Sequence, residues 1–213
     1  MRCAVCGMEY GLSHNCSGIA PLLTAEETAP PPTGFSPGYY LRLAFNIARW
    51  DEISIRRASR DPNSLFYGAV LWAISAAIIL LGTALPGMLR HSPWSTEVFV
   101  LGLILGLLFV WVYLGAVVLI QLSLCHLIAK WFFGATGTYL GVMRPLLLGW
   151  FVNCLIPIPF VGILAAAIAW TAVLMLVFEE VDGISRLQAF GISASINVCF
   201  TALQFMIPVK PHP

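Results

Sequence analysis

Long apolar segments alternate with short polar ones in the part of the chain that follows residue 64. Each segment approaches the roughly 20 residues that an α-helix needs to cross about 30 Å of hydrocarbon. The five segments run from about Leu65 to Leu85, Val98 to Leu122, Tyr139 to Ile156, Phe160 to Phe178 and Gln188 to Val209. The pattern predicts an all-α fold, a polytopic membrane helical bundle of about five transmembrane helices over residues 65–209.

Two prolines separate the third and fourth apolar segments, in the sequence Ile156-Pro157-Ile158-Pro159. Proline interrupts a continuous helix, so this sequence predicts a tight hairpin between two spans. If the two segments instead formed one kinked, re-entrant element, the number of spans would fall to four.

Helical periodicity also precedes the first apolar segment, over residues 38–61. Five arginines lie along its edges, and apolar side chains can share one side: Leu41, Ala44, Phe45, Ala48 and Ile55. This pattern predicts one amphipathic helix on the membrane surface, with Tyr39, Tyr40 and Trp50 at the headgroup level and the arginines toward anionic lipid. A helix packed under the bundle would have a similar sequence, so both interpretations stay open. Asp61-Pro62-Asn63 is expected to end the helix.

Three cysteines and a histidine crowd residues 1–18. Cys3 and Cys6 have C-x2-C spacing, and Gly7 lets the chain curl directly after them. His14 and Cys16, two residues apart, would point to the same side of an extended segment and complete a tetrahedral site. The pattern predicts a metal knuckle that binds structural zinc. Reduced thiols in an unfolded tail, a redox pair, or a disulfide in an oxidising compartment are the alternatives.

A Pro-rich linker is predicted over residues 19–37, where Pro30, Pro31 and Pro32 are consecutive. The other cysteines, Cys125, Cys154 and Cys199, stand singly in apolar surroundings and are interpreted as packing residues.

Composition and charge support insertion in a membrane. Charged residues make up 10% of the chain and apolar residues 59%, whereas soluble proteins carry about a quarter charged residues. The net charge of +1 argues against nucleic acid as a partner. The first sixteen residues lack the apolar core of a secretory signal. Arginine and lysine counts then predict a cytoplasmic N-terminus and, with five spans, a C-terminus outside the cell membrane.

Polar residues inside the apolar segments form a stripe. Ser193, Asn197, Thr201 and Gln204 recur at helical spacing on the last segment, and Asn153 lies deep in the third. Lipid tolerates such a face poorly, so it is expected to turn inward. It would either form interhelical hydrogen bonds or line a polar path.

A second polar group is predicted at the membrane border. His126 and Lys130 are four residues apart and share a helix face. They are expected to meet carboxylates from the end of the fourth segment in an ionic latch, which we call the border cluster: His126, Lys130, Arg144, Glu179, Glu180 and Asp182. A proton relay through these groups is the alternative. The sequence contains no recognisable nucleophile with its base, so no enzyme activity is expected.

Small residues four apart indicate close helix contacts. They are Gly102 with Gly106, Gly162 with Ala166, and Ala165 with Ala169. Such faces serve contacts inside one bundle, self-association, or contacts with other membrane proteins.

Several of these residues together resemble a known family. The residues are His126, Ala129, Gly134, Gly137, Arg144, the proline hairpin, Gly162, Trp170 and the loop Asp182-Gly183-Ile184-Ser185. They are similar to the bacterial branch of the Yip family, five-span integral membrane proteins named for interaction with Ypt/Rab GTPases. The resemblance covers about residues 65–209. From eukaryotic relatives it implies a cytoplasmic N-terminus, a role in vesicle trafficking and membrane shaping, and complexes with related proteins, whereas bacterial relatives have no settled activity.

Two features depart from the Yip pattern. Asp182 stands where relatives often have histidine, and the tail resembles a zinc-ribbon fragment rather than a GTPase-binding region. The resulting prediction is a non-enzymatic scaffold in a bacterial inner membrane that recruits partners through its cytoplasmic tail. The alternative is a small transporter or permease-like subunit whose path is lined by the fifth span.

Overall fold

The computed structural model describes residues 31–32, 34–91 and 96–206, except for the side chains of residues 84–91, 96 and 200–206. Within these ranges every regular element is a helix, which confirms the predicted all-α fold. The α-helices are α1 Pro37–Ala48, α2 Glu52–Arg60, α3 Asn63–His91, α4 Thr96–Phe133, α5 Tyr139–Gly149, α6 Gly162–Asp182 and α7 Arg186–Met206, and a 3₁₀-helix, Trp150–Leu155, continues α5.

Three of the described helices are long and apolar enough to cross a membrane. The corresponding ranges are Asn63–Thr83 in α3, Glu97–Phe133 in α4 and the whole of α6. Tyr139–Leu155 is a shorter apolar stretch. The structure therefore supports a membrane protein, while the count of five spans stays a prediction.

Helix α4 is longer than the sequence pattern predicts. It has 38 residues, which at 1.5 Å per residue is about 57 Å, nearly twice the hydrocarbon thickness. The predicted span ends at Leu122, but the helix continues to Phe133. His126 and Lys130 therefore lie on this continuous helix, as their predicted shared face requires.

The short helix α5 is the centre of the fold. It packs against α1, α2, α3 and α6, and most of its residues are buried, including Val142, Leu146 and Leu148. Glycine permits close approach on both sides. A Cβ on Gly68 of α3 would lie 2.8 Å from the Cβ of Leu147, and one on Gly149 would lie 2.7 Å from Cγ1 of Val173. The third apolar segment is thus mainly core rather than surface.

The chain turns back at the two prolines. The 3₁₀-helix ends at Leu155, and Phe160 adopts a left-handed backbone conformation with φ of 67°. Gly162 then begins α6, and its amide donates to the carbonyl of Ile158 at 3.0 Å. A side chain at Gly162 would collide with the carbonyl of Leu155. The α5–3₁₀ segment and α6 therefore form one hairpin.

The predicted single amphipathic helix is wrong in two respects. Residues 38–61 form two helices, because Trp50 has a φ of 67° and the Asp51 carboxylate accepts from the amide of Ser54 at 3.1 Å to start α2. The residues predicted to share one side are also divided, since Leu41 and Phe45 are exposed whereas Ala44 and Ile55 are buried. The residues that α1 buries are Tyr40, Leu43, Ala44 and Ile47.

Candidate functional site

The border cluster forms where the ends of α4 and α6 meet the start of α5. Gly183 has a φ of 70° and ends α6 directly after Asp182, in the left-handed conformation that glycine adopts without penalty. The Thr138 side chain accepts from the amide of Gly141 at 3.1 Å and starts α5. These two caps bring the loop between α4 and α5 against the end of α6.

His126 and Asp182 form the buried centre of this cluster. Their Nδ1 and Oδ2 atoms are 3.2 Å apart, and both side chains are almost fully buried. The ring of Tyr139 lies 5.7 Å from the histidine ring, and its hydroxyl is 3.0 Å from Oγ of Ser123. The pair ties α4 to α6, and Ser123 with Tyr139 ties α4 to α5.

The backbone of the α4–α5 loop closes over Asp182. The amide of Thr136 donates to the Asp182 carbonyl at 3.0 Å, and Gly137 packs directly against the carboxylate, where a Cβ would collide with Oδ1. That oxygen is buried and has no hydrogen-bond partner among the described residues. Lys130 is exposed one turn beyond His126.

The other predicted members of the cluster bond elsewhere. Glu180 pairs with Arg56 of α2, and Glu179 accepts from Nε of Arg186 at 2.7 Å. Nη1 of Arg144 donates to the carbonyl of Ser59 at 2.8 Å. The structure therefore divides the predicted latch into a buried histidine–aspartate pair and an outer set of arginine contacts that hold α2 and α7.

The polar stripe provides a hydrogen-bonded clamp between three helices. Nε2 of Gln121 in α4 donates to Oδ1 of Asn197 in α7 at 2.6 Å, and Nδ2 of Asn197 donates to Oγ1 of Thr171 in α6 at 2.8 Å. The Thr171 hydroxyl donates in turn to the carbonyl of Ala167 at 2.8 Å. We call Gln121, Asn197 and Thr171 the amide clamp.

The remaining stripe residues are not part of the amide clamp. Ser193 is fully buried, and its hydroxyl has no partner among the described residues. Asn153 donates to the carbonyl of Trp150 at 3.1 Å, within its own 3₁₀-helix. Thr201 and Gln204 lie on α7, but their side chains are outside the described part. Sequence reasoning missed Gln121 and Thr171, although each is a polar residue within an apolar segment.

A second junction, which the sequence analysis did not predict, joins α1 to α3. The Tyr40 hydroxyl donates to Oδ2 of Asp61 at 2.7 Å, and Oδ1 accepts from the amide of Asn63 at 3.0 Å. Both side chains are buried, and Tyr40 stacks on Tyr67 with ring centroids 3.9 Å apart. Burial, aided by the Asp61 carboxylate, raises the pKa of Tyr40 above that of an ordinary tyrosine.

The predicted zinc ligands Cys3, Cys6, His14 and Cys16 lie outside the described residues. Within the described ranges, no three His, Cys, Asp or Glu residues are grouped so that they could hold a metal ion. Zinc at the knuckle therefore stays a prediction that the described residues do not test. Cys125, Cys154 and Cys199 are free thiols.

Comparison with known proteins identifies no relative of this chain. No family model matches it, and neither a curated protein nor a solved structure has significant similarity to it. The resemblance to the Yip family therefore rests on the sequence features alone.

Proposed function

We propose that the protein is a non-enzymatic, Yip-like scaffold of a bacterial inner membrane that recruits partner proteins through a zinc-binding cytoplasmic tail. The amide clamp is the observation that carries this proposal. Its polar atoms bond one another across α4, α6 and α7, so the polar face fixes the packing of the bundle. Such a fixed bundle suits a protein that holds other molecules in place.

The border cluster supports the same role. The His126–Asp182 pair and the Arg56–Glu180 pair attach α4 and α2 to the end of α6. In the proposed topology this end of the bundle faces the cytoplasm and the C-terminus lies outside. In the same proposed topology the tail is cytoplasmic, so a partner would bind on the cytoplasmic side of the membrane.

Crosslinking in native membranes tests the proposal. The full chain, a chain without residues 1–37, and a Cys3→Ser, Cys6→Ser double variant are compared, with neighbours identified by mass spectrometry. We expect both changes to abolish a reproducible set of protein neighbours while membrane insertion persists. Purified full-length protein should hold about one zinc per chain, as a site with four protein ligands requires, and the double variant none. Cys199→Ser, on an exposed cysteine of α7, is the matched control.

A small transporter subunit is the second candidate. The buried Ser193 hydroxyl, which has no partner in the described part of the chain, is the observation that favours it. Solute flux into reconstituted vesicles, compared between the parent protein and Asn197→Leu, discriminates between the two functions. Loss of flux with an intact fold supports the transporter, whereas loss of bundle stability with no flux in the parent protein supports the scaffold.

A further inference from the structure

Helix α1 has two faces that are both apolar. One face, with Leu43, Ala44 and Ile47, is buried against the bundle. The opposite face exposes 50% of Leu41 and 52% of Phe45. A helix between a protein core and water normally carries polar residues on its outer face, so water is an unsuitable neighbour for this one.

An exposed aromatic residue also flanks the helix at each end. Phe35, which precedes α1, is 82% exposed, and Trp50, which follows it, is 52% exposed. The left-handed backbone of Trp50 separates α1 from α2 at this point. We call the exposed side of the helix, with Leu41 and Phe45, the outer face of α1.

Two arginines border the outer face. Arg42 and Arg49 are exposed and seven residues apart, which is about two helical turns. The guanidinium carbon of Arg49 lies 5.7 Å from the ring centre of Phe45. An arginine side chain has a charged end and a long apolar stem. Beside aromatic rings, such side chains favour the boundary between phosphate headgroups and acyl chains.

The position of α1 along the bundle places this face at that boundary. A Cβ on Gly149 would lie 3.1 Å from Cγ2 of Ile47 and 2.7 Å from Cγ1 of Val173, so α1 packs beside α6. Val173 precedes the end of α6 at Asp182 by nine residues, or about 14 Å at 1.5 Å per residue. Because α6 is long and apolar enough to cross a membrane, α1 lies alongside this candidate span rather than beyond it.

We propose that the outer face of α1 binds anionic phospholipid of the membrane that the bundle spans. Leu41 and Phe45 contact the acyl chains, and Arg42 and Arg49 bind the phosphates of the headgroups. This inference rests on the membrane insertion in the proposed function, and it is independent of partner recruitment by the tail.

Photocrosslinking from the full-length protein in native membranes tests the lipid contact. Benzoylphenylalanine replaces Phe45 in one chain and, as the control, Leu101 of α4, which is 57% exposed on a candidate span. We expect phospholipid adducts at both positions. Adducts of Phe45 with a protein, including residues 1–30 of the same chain, overturn the inference, as does the absence of an adduct there when Leu101 labels lipid. If neither position labels lipid, the proposed membrane insertion fails as well.

A second experiment tests the preference for anionic lipid. The full chain is reconstituted in equal amounts of phosphatidylcholine and phosphatidylglycerol, and the lipid retained after purification is measured. An arginine near an anionic surface contributes roughly a fivefold preference, so Arg42→Gln with Arg49→Gln should lower the enrichment of phosphatidylglycerol several-fold. Arg60→Gln, at an exposed arginine of α2 outside the outer face, is the control and should leave the enrichment unchanged. Equal enrichment in the parent and the α1 variant overturns the assignment of Arg42 and Arg49.

Discussion

Asp182 shows how one residue can depend on the absence of a side chain at another. Its carboxylate is buried between His126 and the backbone at Gly137. A buried carboxylate is costly unless its neighbours compensate it, and here the compensation comes from His126 on one oxygen. The loop can approach the other oxygen only because residue 137 has no Cβ.

Gly137→Ala should therefore destabilise the folded protein. The added Cβ would collide with the Asp182 carboxylate and lie 2.6 Å from the carbonyl oxygen of Val181, so the loop must move. We expect the free energy of unfolding in detergent to fall by about 1–3 kcal/mol.

Gly106→Ala is the matched control for Gly137→Ala. A Cβ at Gly106 would meet nothing within 4 Å, and alanine favours a helix over glycine by roughly 0.5–1 kcal/mol. Thermal unfolding of the two variants should thus shift in opposite directions. A destabilised Gly106→Ala variant would instead indicate that this glycine packs against another chain.

The Tyr40–Asp61 junction predicts a dependence of stability on pH. The pKa of Tyr40 is raised in the folded protein. Above the ordinary tyrosine pKa of about 10, the Tyr40 hydroxyl therefore loses its proton in the unfolded chain before it does so in the folded protein. This difference favours the unfolded chain at high pH. The stability that Tyr40 contributes is thus present at lower pH and lost as the pH rises. Tyr40→Phe should cost about 1.5–3 kcal/mol near pH 8, because a hydrogen bond to a carboxylate is lost.

Chemical unfolding of the parent and Tyr40→Phe at pH 8 and near pH 10.5 measures this effect. The difference between the two proteins should narrow at the higher pH. Tyr113→Phe, on an exposed tyrosine of α4, should match the parent at both values. A constant difference across the pH range would show that folding does not raise the pKa of Tyr40, and no difference at either pH would show that Tyr40 contributes by packing alone.

At the scale of single residues, spacing predicts which side chains share a helix but not which helix they meet. His126 and Asp182 are close because α4 continues past Leu122 and Gly183 ends α6. The sequence indicated a shared border for all the carboxylates. It could not show that Glu179 and Glu180 turn to Arg186 and Arg56, since these partners lie on other helices.

Among the elements, α1 shows the limit of periodicity when both faces of a helix are apolar. Two sets of apolar residues recur at helical spacing on α1. The exposed set is Leu41 and Phe45, and the buried set is Leu43, Ala44 and Ile47. The pattern therefore predicts a helix, but packing against α5 decides which face is buried. The break at Trp50 was missed because no glycine marks its left-handed backbone.

The amide clamp is the clearest prediction between elements. Asn197→Leu removes both of its interhelical bonds and leaves the buried Gln121 amide without its acceptor. Interhelical hydrogen bonds in membranes contribute about 0.6 to 1.7 kcal/mol each, so we expect unfolding in detergent to become easier by about 1–3 kcal/mol. Val198→Leu changes the adjacent, exposed side chain and should have little effect. An unaffected Asn197→Leu variant would favour a polar path over a packing role.

For the whole molecule, the central question is whether the α5–α6 hairpin crosses the membrane. Helix α5 with its 3₁₀ continuation has 11 and 6 residues, which is about 28 Å at rises of 1.5 and 2.0 Å per residue. The 21 residues of α6 cover about 31 Å. Both lengths match the roughly 30 Å hydrocarbon core, so the turn at Phe160 should reach the far side.

Cysteine labelling in intact cells tests this crossing. In a background without the six native cysteines, Phe160→Cys and Glu97→Cys should both react with a membrane-impermeant maleimide added outside. Trp131→Cys, near the end of α4 at the border cluster, should react only after the cells are opened. All three side chains are exposed on the protein surface, so differences in reactivity report the membrane rather than packing. If Glu97→Cys reacts while Phe160→Cys stays protected even in opened cells, the hairpin is re-entrant and the number of spans is lower than five.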